Sequence, residues 1–256
     1  MHKHELNRKR IPPGPSTASA VAGFFVDEFD RDDQRVALPR PEMQIIVRFG
    51  PTTRGGLDIY AFGMQQTVRR KFIRRGQRAV TARLHLGASE AVLGVPASAI
   101  GGCILPLDEL WGDATVQQLL DRLVNVGDMI EAAAIVESAI AERLASARAH
   151  DALTPLVHEA AERLVSVNVR KVAMELDLSE RHLRRVFRER VGMSPKAFAR
   201  LARFHRALRA GRDDSRMSWA DIAAETGYYD QAHLIDEFHA IAGVTPRALL
   251  AELGRT

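Results

Sequence analysis

VAMELDLSERHLRRVFRERVGMSP, residues 172–195, decides the fold, because a second version of it follows as IAAETGYYDQAHLIDEFHAIAGVTP, residues 222–246. In each, a short apolar segment leads through a polar turn into a longer amphipathic one, which ends on glycine and closes on proline. That is a helix-turn-helix pattern, written twice on one chain. From the second helix onward the copies superpose at an offset of 51 residues: His182 with His233, Leu183 with Leu234, Phe187 with Phe238, Gly192 with Gly243 and Pro195 with Pro246. Ahead of the turn the offset is 50, pairing Val172-Ala173 with Ile222-Ala223, so the second turn carries one extra residue.

The helices around this repeat place themselves. Leu153 to Val165 predicts an opening amphipathic helix and Val169 to Leu176 the first supporting helix; Ser179 then offers a hydroxyl to cap a recognition helix over 180–190. Leu183, Val186 and Phe187 lie three or four apart and form its buried stripe, which leaves Arg181, Arg184, Arg185 and Arg188 on or beside the outward face. Pro195 suits the first position of a further helix, since a missing N–H costs nothing there. Its 16 residues to about Ala210 span roughly 24 Å at about 1.5 Å each. That makes a rigid spacer between elements that must stand about 34 Å apart to meet successive turns of a DNA major groove. Trp219 to Glu225 then supports a second recognition helix over 230–241, and Gly192 and Gly243 are expected at positive φ where the recognition helices end.

Composition sets bounds on the rest. The 256 residues suffice for two domains with their own cores. No apolar run reaches the roughly 18 residues of a membrane span. One cysteine, Cys103, excludes an internal disulfide framework and a thiolate-rich zinc site, which fits a reducing compartment. Pro12, Pro13, Gly14 and Pro15 interrupt any apolar leader, so a cytoplasmic protein is expected. The net charge is only +4, yet residues 163–212 hold fourteen Lys and Arg against four acids, and residues 213–256 hold three against eight. A concentrated basic segment favours a polyanionic partner through counterion release; the acidic remainder opposes it.

The first half reads differently. Residues 1–18 are polar, basic and proline-rich and are expected to be a disordered tail. MQIIVRF (43–49), LDIYAF (57–62) and AVTARLHL (79–86) read as strands separated by Gly and Pro punctuation, the last alternating with Val80, Ala82, Leu84 and Leu86 on one face. From Asp113 the period becomes helical, with Val116, Leu119, Leu120, Leu123 and Val124 in one stripe and Met129, Ile130, Ala133, Val136, Ile140 and Leu144 in the next. Ala145 to Asp151 is the candidate linker. The expected fold class is α+β: a mixed, strand-rich N-terminal domain with following helices over 19–147, and an all-α C-terminal domain of about seven helices over 152–256. Arg69, Arg70, Lys71, Arg74, Arg75 and Arg78 cluster around Phe72 and Ile73, a charged loop or a guarded edge strand.

The C-terminal hundred residues resemble the DNA-binding domain of the AraC family of transcriptional regulators. The resemblance rests on Leu183-x-x-x-Phe187, Gly192-Met193-Ser194-Pro195, Arg203-x-x-Arg206-Ala207-Leu208, Ile222-Ala223 with Gly227-Tyr228, and His233-Leu234-x-x-x-Phe238 running into Gly243-Val244-Thr245-Pro246. It implies that Ser179, Arg181, His182, Arg184, Arg185 and Arg188 meet DNA from the first recognition helix, and Gln231, Ala232 and Ile235 from the second. Arginine suits base reading because its fork pairs with guanine O6 and N7. The second helix departs from the pattern with Asp236 and Glu237, so the first unit is expected to dominate. His182 and His233 read as helix-shoulder residues beside core leucines rather than metal ligands.

Arg83-Leu84-His85-Leu86-Gly87-Ala88, Leu93-Gly94-Val95-Pro96 and Leu105 to Gly112 resemble the N-terminal region of one subgroup of the same family, which implies a sensing or dimerising module and a ligand pocket lined by the strands of 43–86. The partners implied are double-stranded DNA and, as further candidates, RNA polymerase, a small-molecule effector and a second copy of the chain. No cofactor is expected. No His-Glu-x-x-His, Gly-x-Ser-x-Gly or phosphate-cradling Gly-x-x-x-x-Gly-Lys is present, so no enzyme is expected. The competing reading is a non-enzymatic module that binds protein or nucleic acid without reading sequence.

Overall fold

The computed structural model describes residues 8–146, 153–214 and 216–254. Among them the N-terminal part builds a six-stranded antiparallel sheet in the order β1 (Arg8–Ile11), β2 (Val21–Glu28), β7 (Arg78–Leu84), β4 (Gln44–Phe49), β5 (Leu57–Phe62) and β8 (Ile104–Pro106). A separate two-stranded ribbon pairs β3 (Asp33–Ala37) with β6 (Arg69–Ile73). β7 lies between β2 and β4, with Val80, Ala82 and Leu84 fully buried, which is why its alternation was legible.

Helices cover one face of this sheet. After the short α1 (Ser89–Leu93), α2 (Ala97–Ile100) and α3 (Asp108–Trp111) come α4 (Asp113–Leu123) and α5 (Met129–Ser146). Ala132, Ala133, Val136, Ala139 and Ile140 of α5 join one apolar core with Phe24, Ile45, Val47, Ile59, Val80 and Leu84 of the strands. One face of the strands of 43–86 is thus filled by these helical side chains. Val124 and Ile130, expected within the helical stripes, are exposed instead, because both flank the break between α4 and α5 where the helical face is interrupted.

Arg8–Ile11 correct the expectation of a disordered tail: the stretch pairs with Phe24 to Asp27 and forms the sheet edge. Gly14 N–H and Thr17 Oγ1 both donate to Glu137 Oε1, at 2.6 and 2.5 Å, which latches the connection to α5. Residues 1–7 lie outside the described residues. So does most of the candidate linker, since α5 runs through Ser146 and 147–152 are not described.

The C-terminal part is helical: α6 (Thr154–Leu164), α7 (Val169–Glu175), α8 (Glu180–Val191), α9 (Pro195–Asp213), α10 (Trp219–Thr226), α11 (Gln231–Ala242) and α12 (Pro246–Leu253). Its core holds Leu183, Val186 and Phe187 of α8 with their counterparts Leu234 and Phe238 of α11. α9 runs between the two units. Phe198 near its start meets Phe187 edge-on at 5.3 Å, and Phe204 farther along meets Phe238 at 4.6 Å. Each such aromatic pair adds about 0.5–1.5 kcal/mol beyond the area it buries. No helix of the described residues is long and apolar enough to cross a membrane.

Candidate nucleic-acid interface

The sequence repeat reappears as a repeat of hydrogen bonds. In the first turn Leu178 N–H reaches back to Ala173 O, and in the second Tyr228 N–H reaches back to Ala223 O, both at 2.9 Å. Every helix of both units begins on a side-chain cap. Asn168 accepts from Lys171 N–H, Ser179 from His182, Ser194 from Ala197, Ser218 from Asp221, Asp230 from His233 and Thr245 from Ala248. Each cap satisfies an N–H that the first turn of a helix leaves without an intrahelical partner. Sequence reading found only Ser179. The spacing of the other five relative to the repeat was the signal that would have found them.

Two backbone positions separate the copies. The turn must pass through a left-handed conformation, which the second unit gives to Gly227 at φ +81°. The first unit gives it to Asp177 at φ +53°, the one non-glycine residue at positive φ among the described residues. The extra residue of the second turn is Tyr229, between the Tyr228 anchor and the Asp230 cap. It stands 93% exposed beside the start of α11.

On α8, Arg181, Arg184, Arg185 and Arg188 are all exposed. Arg184 pairs with Glu180 one turn earlier, and Arg185 lies 3.5 Å from Glu189 and 3.4 Å from His182 Nδ1. Both arginine side chains retain 58% of their surface. Helical i,i+4 pairs of this kind contribute only about 0.3–0.5 kcal/mol, so they leave both guanidinium groups available to another partner. Arg170 and Lys171, in the first turn of α7, are exposed as well and were missed by sequence reading. Of the other cations of the basic segment, Lys196, Arg209 and Arg212 are exposed, and several more are engaged within the protein. Arg163 bridges Glu159 and Glu175, Arg190 pairs with Glu90, and Arg200 pairs with Glu237 at 2.7 Å.

α11 presents a different surface. Gln231, Ala232 and Asp236 are exposed, whereas Ile235 is half-buried against the helical core. Glu237, expected to face outward beside Asp236, is turned inward and only 15% exposed, because Arg200 of α9 holds its carboxylate. Tyr228 packs beneath it with the Arg203 guanidinium over its ring, and burial, with Glu237 near, pushes its phenol up to about 12. His233 accepts the Tyr229 N–H at 3.4 Å and stands edge-on to the Tyr228 ring. Among the described residues no group of three or more His, Cys, Asp and Glu side chains could hold a metal ion.

Residues 172–252 match the family described as a helix-turn-helix domain. No curated protein matches the chain. Among solved structures it is similar to a transcriptional regulator with an AraC-type DNA-binding domain from Chromobacterium violaceum, at 21% identity over 38% of this chain and 91% of that one, TM-score 0.36. It is also similar to the C-terminal domain of AraT, a response regulator from Geobacillus stearothermophilus, at 22% identity, 38% and 85% coverage and TM-score 0.35. ToxT from Vibrio cholerae aligns over 90% of this chain and 98% of its own at 11% identity, TM-score 0.42.

Proposed function

We propose that residues 172–252, which match a helix-turn-helix domain family, are a DNA-binding module of AraC type and that the chain is a sequence-specific transcriptional regulator. It reads two successive major-groove faces of double-stranded DNA through α8 and α11, with α8 supplying most of the affinity. Residues 19–147 and 152–256 act as its two domains. One observation carries the reading: the Arg181, Arg184, Arg185 and Arg188 side chains stand exposed on a capped helix whose opposite stripe is buried. In this reading Arg181, Arg184 and Arg185 meet base edges and Arg188 meets phosphate. Ser179 and Asp230 fix where each recognition helix starts.

A gel-shift titration of the full chain, on fragments selected from a random-sequence DNA pool, tests this. Arg185→Ala should cost about ten- to a hundredfold in specific affinity, the worth of one good bidentate base contact. Asp236→Ala should leave affinity unchanged or raise it by removing a like charge near phosphate. The opposite order rejects the dominance of α8. Arg188→Ala should weaken all sequences alike and reduce the slope of log affinity against log salt by about one. A preference for the selected site below about 10³ over unrelated DNA at physiological salt would instead assign the module to binding without sequence readout.

A further inference from the structure

The N-terminal domain grips both recognition helices, and it does so at repeat-equivalent places. At the offset of 51, Arg190, Val191 and Gly192 correspond to Ile241, Ala242 and Gly243. At the first end, α2 packs on α8 and Glu90 of α1 pairs with Arg190, whose side chain is only 18% exposed. The backbones approach so closely that a Cβ on Gly192 would lie 2.9 Å from Ala97 O. At the second end the contact is made by hydrogen bonds. Val68 N–H donates to Ile241 O at 2.8 Å, and the Arg70 guanidinium donates to Ala242 O at 3.0 Å while pairing with Glu252 at 2.8 and 3.2 Å. Those carbonyls are among the last of α11, where no intrahelical donor exists and a cation is favoured.

One stretch of chain joins the two grips. Residues 63–70 leave β5 at Gly63, whose N–H donates to Cys103 O and where a Cβ would lie 2.1 Å from Ile100 O. Met64 is buried in the helical core, with its Cγ 3.4 Å from where a Gly192 Cβ would be. The segment then passes Ala197, Arg200 and Leu201 of α9 at Gln66 and reaches Ile241 and Ala242 at Val68 and Arg70.

We propose that residues 63–70 are a splint that fixes the separation of α8 and α11, so that Arg70 and Glu90 are positioning residues for the spacing of the two DNA half-sites. This rests on the two-helix reading above. Each base pair added between half-sites moves the second by about 3.4 Å and by roughly a tenth of a turn, a mismatch that a splinted pair of helices cannot follow. The exposed Arg75, in the turn that follows β6, is anchored instead through its backbone N–H to Asp32 of the same domain.

The test uses the full chain and bipartite sites selected by it from a random DNA pool, then lengthened or shortened by one base pair between the half-motifs. The unaltered protein should lose at least about tenfold in affinity for either change, within the range of a mismatched site. Arg70→Ala with Glu90→Ala should reduce that loss to less than about threefold while keeping both half-motifs. Arg75→Ala, which removes the same charge from the same basic cluster, should keep the full spacing penalty. Unfolding midpoints of all variants confirm that each is folded, and Arg70→Lys, which keeps a cation at the helix end, should restore part of the penalty. An unchanged penalty in the double variant, or equal relaxation by Arg75→Ala, overturns the splint and leaves the DNA-binding reading standing. Selection of only one half-motif by the unaltered protein overturns the two-helix reading and the splint with it.

Discussion

Two residues distinguish copies that otherwise share their hydrogen bonds. Asp177 holds the left-handed position that Gly227 holds in the second unit. Asp tolerates that conformation better than most residues, so the Asp177→Gly protein should differ in stability by less than about 1 kcal/mol, since relief of strain is offset by a freer unfolded chain. Asp177→Val should cost about 1–3 kcal/mol, because a β-branched side chain fits the left-handed region poorly; equal midpoints for the two variants in urea would refute this. Tyr229 is the inserted residue and its side chain is almost wholly in solvent. Tyr229→Ala should leave stability within about 0.5 kcal/mol yet weaken DNA binding, since the ring stands beside the first turn of α11. Unchanged affinity in a fluorescence titration would make it a passive loop residue.

At the scale of elements, α9 is more than a spacer. Phe198 near its start and Phe204 at its middle pack against separate units, and Arg200, Arg203 and Arg206, on one face, bond Glu237 Oε1, Gly227 O and Thr226 O at 2.7, 3.5 and 2.9 Å. Phe204→Ala should therefore cost about 3–5 kcal/mol and broaden the unfolding transition if the second unit melts first, which far-UV circular dichroism would record. The helices were legible in the sequence because their burial is periodic and their ends carry proline and glycine. Expected and observed bounds of the two recognition helices differ by one residue at most: 180–190 against Glu180–Val191, and 230–241 against Gln231–Ala242. β4, β5 and β7 were legible because Gly and Pro bracket apolar runs. β2 was not, since both of its faces contribute buried residues and its register breaks between Val21 and Gly23. β1 was hidden by its charge, Arg8-Lys9-Arg10 reading as tail although the backbone completes a sheet. The inward turn of Glu237 was invisible too, because its partner Arg200 lies 37 residues earlier on another helix.

At the scale of the molecule, histidines sit at the contacts between the sheet domain and the helical one. His205 of α9 bonds Pro39 O, and His158 of α6 bonds Leu86 O, both at 2.8 Å, with His85 edge-on to His158. Burial holds the His205 imidazole below its ordinary value; the Pro39 carbonyl opposes this, Arg40 and Arg209 reinforce it and Glu42 opposes it again. His85 is held down by burial and by His158. Above about pH 6.5 neither folded nor unfolded chain carries these protons and the contacts contribute in full. Below it the unfolded chain takes up protons that the folded one resists, so stability should fall as pH drops from about 7 towards 5. His205→Gln, which keeps a donor for Pro39 O, should flatten that decline in denaturant titrations at the two pH values; an identical decline would remove His205 from the account. β1 has a consequence of a practical kind. It covers the hydrogen-bonding edge of β2, and a bared, apolar strand edge invites pairing with another molecule. A protein trimmed to begin after Ile11 should thus show growing particle size in light scattering as its concentration rises, and expression tags on this chain are better placed at the far terminus.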